Sequence, residues 1–256
     1  MRRQIDQIRK VLARFGVADP GEIVDLFRRI AVPSAADVEK TLKSIGLKLP
    51  ANVTCRFVAD SLLAGVFEFD PSILRWRDAF GAVPDLAAIK PGAKQASTYH
   101  KTIFASLNGI FDGSLANGRI EQEIHSGIHR VDIMHDNFST HGFFSEVRSR
   151  LSLKSDYVPT ECKNYSDDVG SPEYDQLGGR LNPNDRQVGL LVVRKIVDQR
   201  KSFGHVKAKW IKRELVIVLD DNDILKMHDA RFRGDPQQVD ALLWLKVRNL
   251  QLDSLK

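Results

Sequence analysis

A glutamate and a lysine two residues apart, Glu161 and Lys163, stand inside a run, 157–165, that otherwise reads as a β-strand. Period-two alternation puts both side chains on one face of that strand. Charges in such a place are costly unless they are paired or bound to a metal. A hairpin upstream supplies further acids. With Ser126 and Gly127 as its two-residue turn, His125 faces Ile128, Glu123 faces Arg130 and Glu121 faces Asp132. Alternation then puts Glu121, Glu123, Arg130 and Asp132 on one face, and Val131 and Ile133 on the other. Two opposed carboxylates repel, and a divalent cation between Glu121 and Asp132 would remove the penalty. The triplet Glu161-Cys162-Lys163 is uninformative alone, because composition predicts roughly two acid-x-Lys triplets by chance. An ordinary ion pair explains it as well as a metal site does, and only its setting, after the hairpin and before a short helix with Gln176, adds weight.

Three motifs follow in order: Gly127-x-x-Arg130-Val131-Asp132-Ile133, then Glu161-Cys162-Lys163-Asn164-Tyr165, then Asp175-Gln176-Leu177-Gly178-Gly179-Arg180. Together they resemble the PD-(D/E)XK nuclease superfamily. They are most similar to a bacterial restriction-endonuclease-like group with ECKNY and DQLxGR motifs, distantly related to Mrr-like and RecB-type nucleases. The likeness spans about residues 99–225, and residues 1–95 match no family. The resemblance implies a Mg²⁺-dependent (or Mn²⁺-dependent) phosphodiesterase. It makes Asp132 and Glu161 the metal carboxylates, the Cys162 main-chain carbonyl a third ligand, and Glu121 an extra acid with room for a second metal. Such hard oxygen ligands suit Mg²⁺ or Mn²⁺ rather than zinc. In the same reading Lys163 orients or deprotonates the attacking water and offsets phosphate charge, while the metal stabilises the charge that develops. Gln176 and Arg180 resemble a Q-xxx-Y element with arginine in the last place. Gln176 would hold the water or the Lys163 amine, and Arg180 would meet phosphate bidentately. Val131 stands where the superfamily's name has proline.

The elements that must carry these residues are legible from periodicity and end signals. Ile5, Ile8, Leu12 and Phe15 recur at helical spacing, with Gly16 as a stop. Asp19-Pro20-Gly21-Glu22 reads as a helix start, as do Ser34 and Asp37, and further helices are expected over 56–67 and 72–80. Pro91-Gly92-Ala93-Lys94 is a breaker and a candidate boundary. Beyond it the pattern predicts a helix over 99–115, strands over 119–125 and 128–135, and a helix over 138–151. A strand over 157–165, a helix over 171–181 with Ser171 as its cap, and a strand over 188–196 come next. A helix over 201–213, a strand over 215–219 and a helix over 235–250 close the chain. That order predicts an α/β fold with a mixed central sheet and flanking helices, a restriction-endonuclease-like core over 96–256, preceded by a helical region over 1–95.

Composition narrows the class. The chain has 256 residues, 43% hydrophobic and 28% charged, which excludes disorder as the main state. No apolar run approaches the roughly 20 residues of a membrane span, and the charged start lacks a secretory signal. Two cysteines, Cys55 and Cys162, are too few for a disulfide framework, so a reducing cytoplasmic setting is expected. Formal charge is +5; residues 1–95 hold +4 of it and residues 96–256 only +1. Five of the first fourteen residues are basic, which suits either a solvated helix face or a phosphate-contacting surface. Lys201, His205, Lys209 and Lys212 form the basic side of an amphipathic helix opposite Phe203, Val206 and Trp210, with the same two meanings. His125, His129, His135 and His141 match no zinc spacing. Cys162 is expected to be a core thiol, Gly178-Gly179 to allow close helix packing, and Asp220, Asp221 and Asp223 to cap a strand-to-helix turn.

The combined expectation is a metal-dependent nuclease acting on nucleic acid, a DNA endonuclease of restriction or phage-defence type, with a homodimer where double-strand cleavage needs two sites. Its rivals are a nucleic-acid-binding module with an inactive nuclease core and an RNA nuclease. The expected site comprises Asp132, Glu161, Lys163 and Gln176 as catalytic groups, and Asp132, Glu161, Cys162 and Glu121 around the metal. Arg180, Lys201, Lys209 and Lys212 are the expected nucleic-acid contacts.

Overall fold

The computed structural model describes residues 34–44, 54–56, 59, 75–76, 79–124 and 129–252. The chain divides into two compact units, Met1–Arg75 and Trp76–Lys256. In the first, helix α1 (Ala35–Ser44) follows Ser34 where a start is expected, and carries a 2.7 Å Glu39–Lys43 pair one turn apart. The helix starts at residues 5–16 and 19–30, the basic cluster of the first fourteen residues, most of the 56–67 and 72–80 helices, and the Ser126-Gly127 turn lie outside the described residues.

The second unit begins upstream of the Pro91 break, because the chain before that break is already tied into it. Trp76 Nε1 donates to Gly109 O at 2.6 Å and His228 Nε2 donates to Phe80 O at 3.0 Å. After a short 3₁₀ turn (Ala93–Gln95) come α2 (Ala96–Ile110), β1 (Leu115–Ile124), β2 (His129–Asn137) and α3 (Gly142–Leu151). Then follow β3 (Tyr157–Lys163), α4 (Ser171–Gly178), β4 (Val188–Val193) and α5 (Gln199–Ile211). The last elements are β5 (Leu215–Asp220), α6 (Asp221–Phe232) and α7 (Pro236–Gln251).

The strands form one mixed sheet in the order β1-β2-β3-β4-β5. β1, β2 and β3 pair antiparallel, while β3-β4 and β4-β5 pair parallel. The change follows from the connections: α4 and α5 are the crossovers that parallel neighbours require. β4 is Val-Gly-Leu-Leu-Val-Val and is buried at all positions, as a central strand covered on both faces must be. The helices form one chain of contacts: α4 with α5, α5 with α7, α7 with α3 and α6, and α6 with α2.

Several bounds differ from the sequence expectation for local reasons. The segment that continues the α2 periodicity to Leu115 instead turns at 111–114, and Leu115 opens β1. The β3 strand stops at Lys163, since Asn164 leaves the ladder to bind Lys90 O and Gly92 O with its side-chain amide, at 3.0 and 2.9 Å. Gly170, not Ser171, is the cap of α4, and its N–H is taken by the Glu173 carboxylate at 2.9 Å. Helix α6, like the short 3₁₀ turn, has no predicted range. Its apolar pattern is thin, with Ile224, Met227, His228 and Ala230 as its buried residues, yet its start is strong. Asp220 Oδ1 accepts from Asp223 N and Asp223 Oδ2 from Asp220 N, a reciprocal capping box at the strand-to-helix turn.

Candidate active site

The β1–β2 register follows the hairpin arithmetic: Glu123 pairs with Arg130, Gln122 with Val131 and Ile120 with Ile133. β2 pairs with β3 only as far as Ile133↔Thr160. Beyond that point the two strands part, and the site is built in the fork. The Cys162 N–H, left without a ladder partner from β2, donates to Asp132 Oδ2 at 2.9 Å. The Cys162 carbonyl is met by His100 of α2, whose Nε2–H donates to it at 2.9 Å. The same His100 nitrogen lies 4.0 Å from Asp132 Oδ2. Asp132 therefore bridges the fork as a side-chain substitute for main-chain pairing.

Glu161 points to the α4 side and is fully buried. Its Oε2 accepts from Gln176 Nε2 at 2.7 Å and from Lys163 Nζ at 3.3 Å. Lys163 Nζ also donates to Gln176 Oε1 at 2.9 Å, closing a triangle of Glu161, Lys163 and Gln176. The other oxygen, Oε1, is buried and has no hydrogen-bond partner. Arg180 Nε lies 3.5 Å from it and donates instead to Arg130 O at 3.0 Å. Gln176 sits on α4 and Arg180 just past its end. One short helix, started by Glu173 on Gly170 and packed through Tyr174 and Leu177, thus aims both groups at β3.

The electrostatics follow from burial. Loss of solvent pushes the Glu161 carboxyl up to about 7, the Asp132 charge pushes the same way, and Lys163 and Arg180 oppose them. Burial also drives the Cys162 thiol well above its ordinary range. The thiol joins the hydrophobic core, as expected, so the useful atom of Cys162 is its carbonyl oxygen. That oxygen retains a second lone pair beside the His100 bond.

The structure brings together Asp132, Glu161, Lys163, Gln176, Arg180 and the Cys162 carbonyl. It does not bring Glu121 to them. Glu121 has φ 55, a left-handed conformation that breaks the alternation of β1, and its carboxylate is 63% exposed and 3.6 Å from Arg130 Nη1. The Glu121 charge thus has an arginine of the neighbouring strand beside it. Among the described residues no group of three or more His, Cys, Asp or Glu side chains is gathered as a metal cage. The candidate donor set is two carboxylates and one main-chain carbonyl, with His100 hydrogen-bonded to that carbonyl.

Lys209 is also not where its helix pattern suggests. It is buried, with Nζ 2.7 Å from Asp175 Oδ1 and 3.9 Å from Glu214, so its charge is spent inside the fold. Its long stem carries the ammonium from the polar side of α5 back to α4. A Cβ on Gly178 would lie 2.5 Å from Lys209 Nζ and 3.1 Å from Glu214 Oε2, so Gly178 gives a close approach to those side chains, whereas Gly179 has only ordinary contacts. Lys201 and Lys212, at the two ends of α5, are exposed. Of the clustered histidines, His135 is buried against Asn108 Oδ1 at 3.0 Å, and burial lowers it to about 4. His141 is exposed, and His125 lies outside the described residues.

His100 is the site residue that sequence reasoning misses. It lies 62 positions from Cys162, and no motif marks it. Both cysteines are free thiols, and no helix among the described residues is long and apolar enough to cross a membrane. No family model, curated protein or solved structure matches the chain.

Proposed function

We propose that the chain is a metal-dependent nuclease that hydrolyses phosphodiester bonds, a DNA endonuclease of restriction or phage-defence type, with the mixed sheet as a restriction-endonuclease-like core. The observation that carries the reading is the convergence of Asp132, Glu161, Lys163 and Gln176 at the fork of β2 and β3. A buried carboxylate with an unpartnered oxygen, beside a second carboxylate and a main-chain carbonyl, is a donor set of the hard-oxygen kind that suits Mg²⁺ or Mn²⁺. Asp132, Glu161 and the Cys162 carbonyl would hold the ion. When bound, it would supply charge stabilisation and a more acidic water.

The side chains divide the remaining work. Lys163 has three ammonium protons and uses two, on Glu161 and Gln176, so the third is available to a phosphate oxygen or a water. Gln176 fixes both the lysine and the carboxylate and so sets their separation. Arg180 offers a planar fork to phosphate. Lys201 and Lys212 are the outlying contacts to the nucleic-acid backbone. A cytoplasmic setting and a homodimer, for cutting two strands, complete the reading.

The test is a cleavage panel of plasmid, single-stranded DNA, methylated DNA and RNA, with Mg²⁺ or Mn²⁺. Cutting should stop with EDTA and in Lys163→Ala, by a factor of about 100 or more, as for loss of a positioned charge at a reacting phosphate. Undiminished cutting by Lys163→Ala would refute the site, and binding without cutting would leave a nucleic-acid-binding module.

A further inference from the structure

We infer that Arg180 couples cation binding to phosphate binding: it balances Glu161 when the site holds no cation, and turns to a phosphodiester oxygen when a divalent cation takes Glu161 over. This rests on the metal-dependent reading above.

The hydrogen bonds around Glu161 single out the atom at issue. Oε2 is saturated by Gln176 and Lys163, while Oε1 is buried and makes no hydrogen bond. A cation that uses Glu161 therefore approaches Oε1, which faces Arg180 Nε at 3.5 Å. A guanidinium and a divalent cation on one carboxylate oxygen repel each other, so the arginine must yield. Lys163 is the wrong group to yield, since it is tied to both Glu161 and Gln176.

Arg180 is built to move at its side chain and nowhere else. Its N–H donates to Leu177 O at 2.8 Å, and its carbonyl accepts from the buried Arg186 Nε at 2.9 Å. The side chain has one anchor, the 3.0 Å bond to Arg130 O on the β2 side of the fork. Its terminal NH₂ groups make no hydrogen bond among the described residues, and they form the face that binds phosphate in two parallel bonds. The released guanidinium thus stays beside the cation, where a bridging phosphodiester would carry the opposite charge. Linkage makes the effect reciprocal: phosphate that draws Arg180 away must tighten cation binding by the same factor.

The experiment measures Mn²⁺ binding to the full chain by electron paramagnetic resonance, with and without a phosphorothioate DNA duplex. Wild type should bind Mn²⁺ more tightly when the duplex is present. Arg180→Gln should bind Mn²⁺ alone about tenfold more tightly than wild type, a typical size for coupling between sites, and gain little from the duplex. Arg180→Lys keeps the charge without the fork, so Mn²⁺ affinity alone should stay near wild type while the duplex-induced gain falls. Unchanged or weaker Mn²⁺ binding in Arg180→Gln, or an undiminished gain in either variant, overturns the inference. If Arg180→Gln does not fold, the gain in Arg180→Lys decides. Absence of Mn²⁺ binding in wild type is a different result, which removes the metal reading and this inference together.

Discussion

Glu161→Gln should stabilise the metal-free protein at alkaline pH, an unusual outcome for a site residue with three partners. Glutamine keeps the shape of the protonated acid and removes its charge. The carboxyl is raised from 4.5 to about 7, chiefly by burial and next by Asp132, net of the help from Lys163 and Arg180. The folded chain then holds this proton after the unfolded chain has lost it, and stability falls as pH rises between those two values. Full ionisation costs on the order of 3 kcal/mol at pH 8.5, about 1 kcal/mol at pH 5.5 and almost nothing below pH 4. Glu161→Gln escapes that cost, so its melting temperature should exceed that of wild type by several degrees at pH 8.5 in EDTA, at roughly 2–4 °C per kcal/mol. The gap should narrow steadily toward pH 4.5. Adding Mn²⁺ should raise the wild-type melting temperature and leave the variant unmoved. A variant less stable than wild type at pH 8.5, or a gap independent of pH, would show that Glu161 is comfortably ionised as a structural ion pair, and the reasoning would fail.

Three further outcomes test the nuclease reading and the fold around it. Lys201→Ala and Lys212→Ala should each lower DNA affinity and reduce the slope of log affinity against log salt by about 1. Lys209→Ala should leave that slope unchanged and instead lower the melting temperature, because its buried ammonium is already paired with Asp175. Asp220→Ala removes the acceptor for Asp223 N at the start of α6. It should cost about 1 kcal/mol, a fall of a few degrees in a melting curve, without affecting cleavage.

The hairpin register was legible because a two-residue turn fixes every cross-strand partner by counting, and Glu123↔Arg130 follows from it. The same counting keeps Glu121 opposite Asp132, but alternation assumes extended backbone, and Glu121 is left-handed. Nothing in Ile120-Glu121-Gln122 announces that reversal. Gln176 and Arg180, expected four apart on one helix, both come near the Glu161 carboxylate, but Arg180 falls just past the end of α4. Lys209 was misjudged for another reason. A helical pattern assigns a direction to the Cβ, whereas the stem of a lysine can carry its charge to another helix.

His100 shows where sequence reasoning stops in this chain. A main-chain carbonyl carries no residue identity, so no pattern can say which side chain will satisfy it. Once β2 and β3 part after Ile133 and Thr160, both main-chain groups of Cys162 need partners, since buried unpaired groups are costly. Asp132 takes the N–H, and the carbonyl is left to an element 62 residues upstream. The need could be inferred from the fork, but the provider could not. The fork also explains why the acids of this site are tolerated in a sheet core. Asp132 repairs a broken ladder, and Glu161 is enclosed by a lysine, a glutamine and an arginine. Each acid has a structural partner, but those partners leave Glu161 Oε1 without a hydrogen bond, and that residual need is what separates this arrangement from an ordinary buried ion pair.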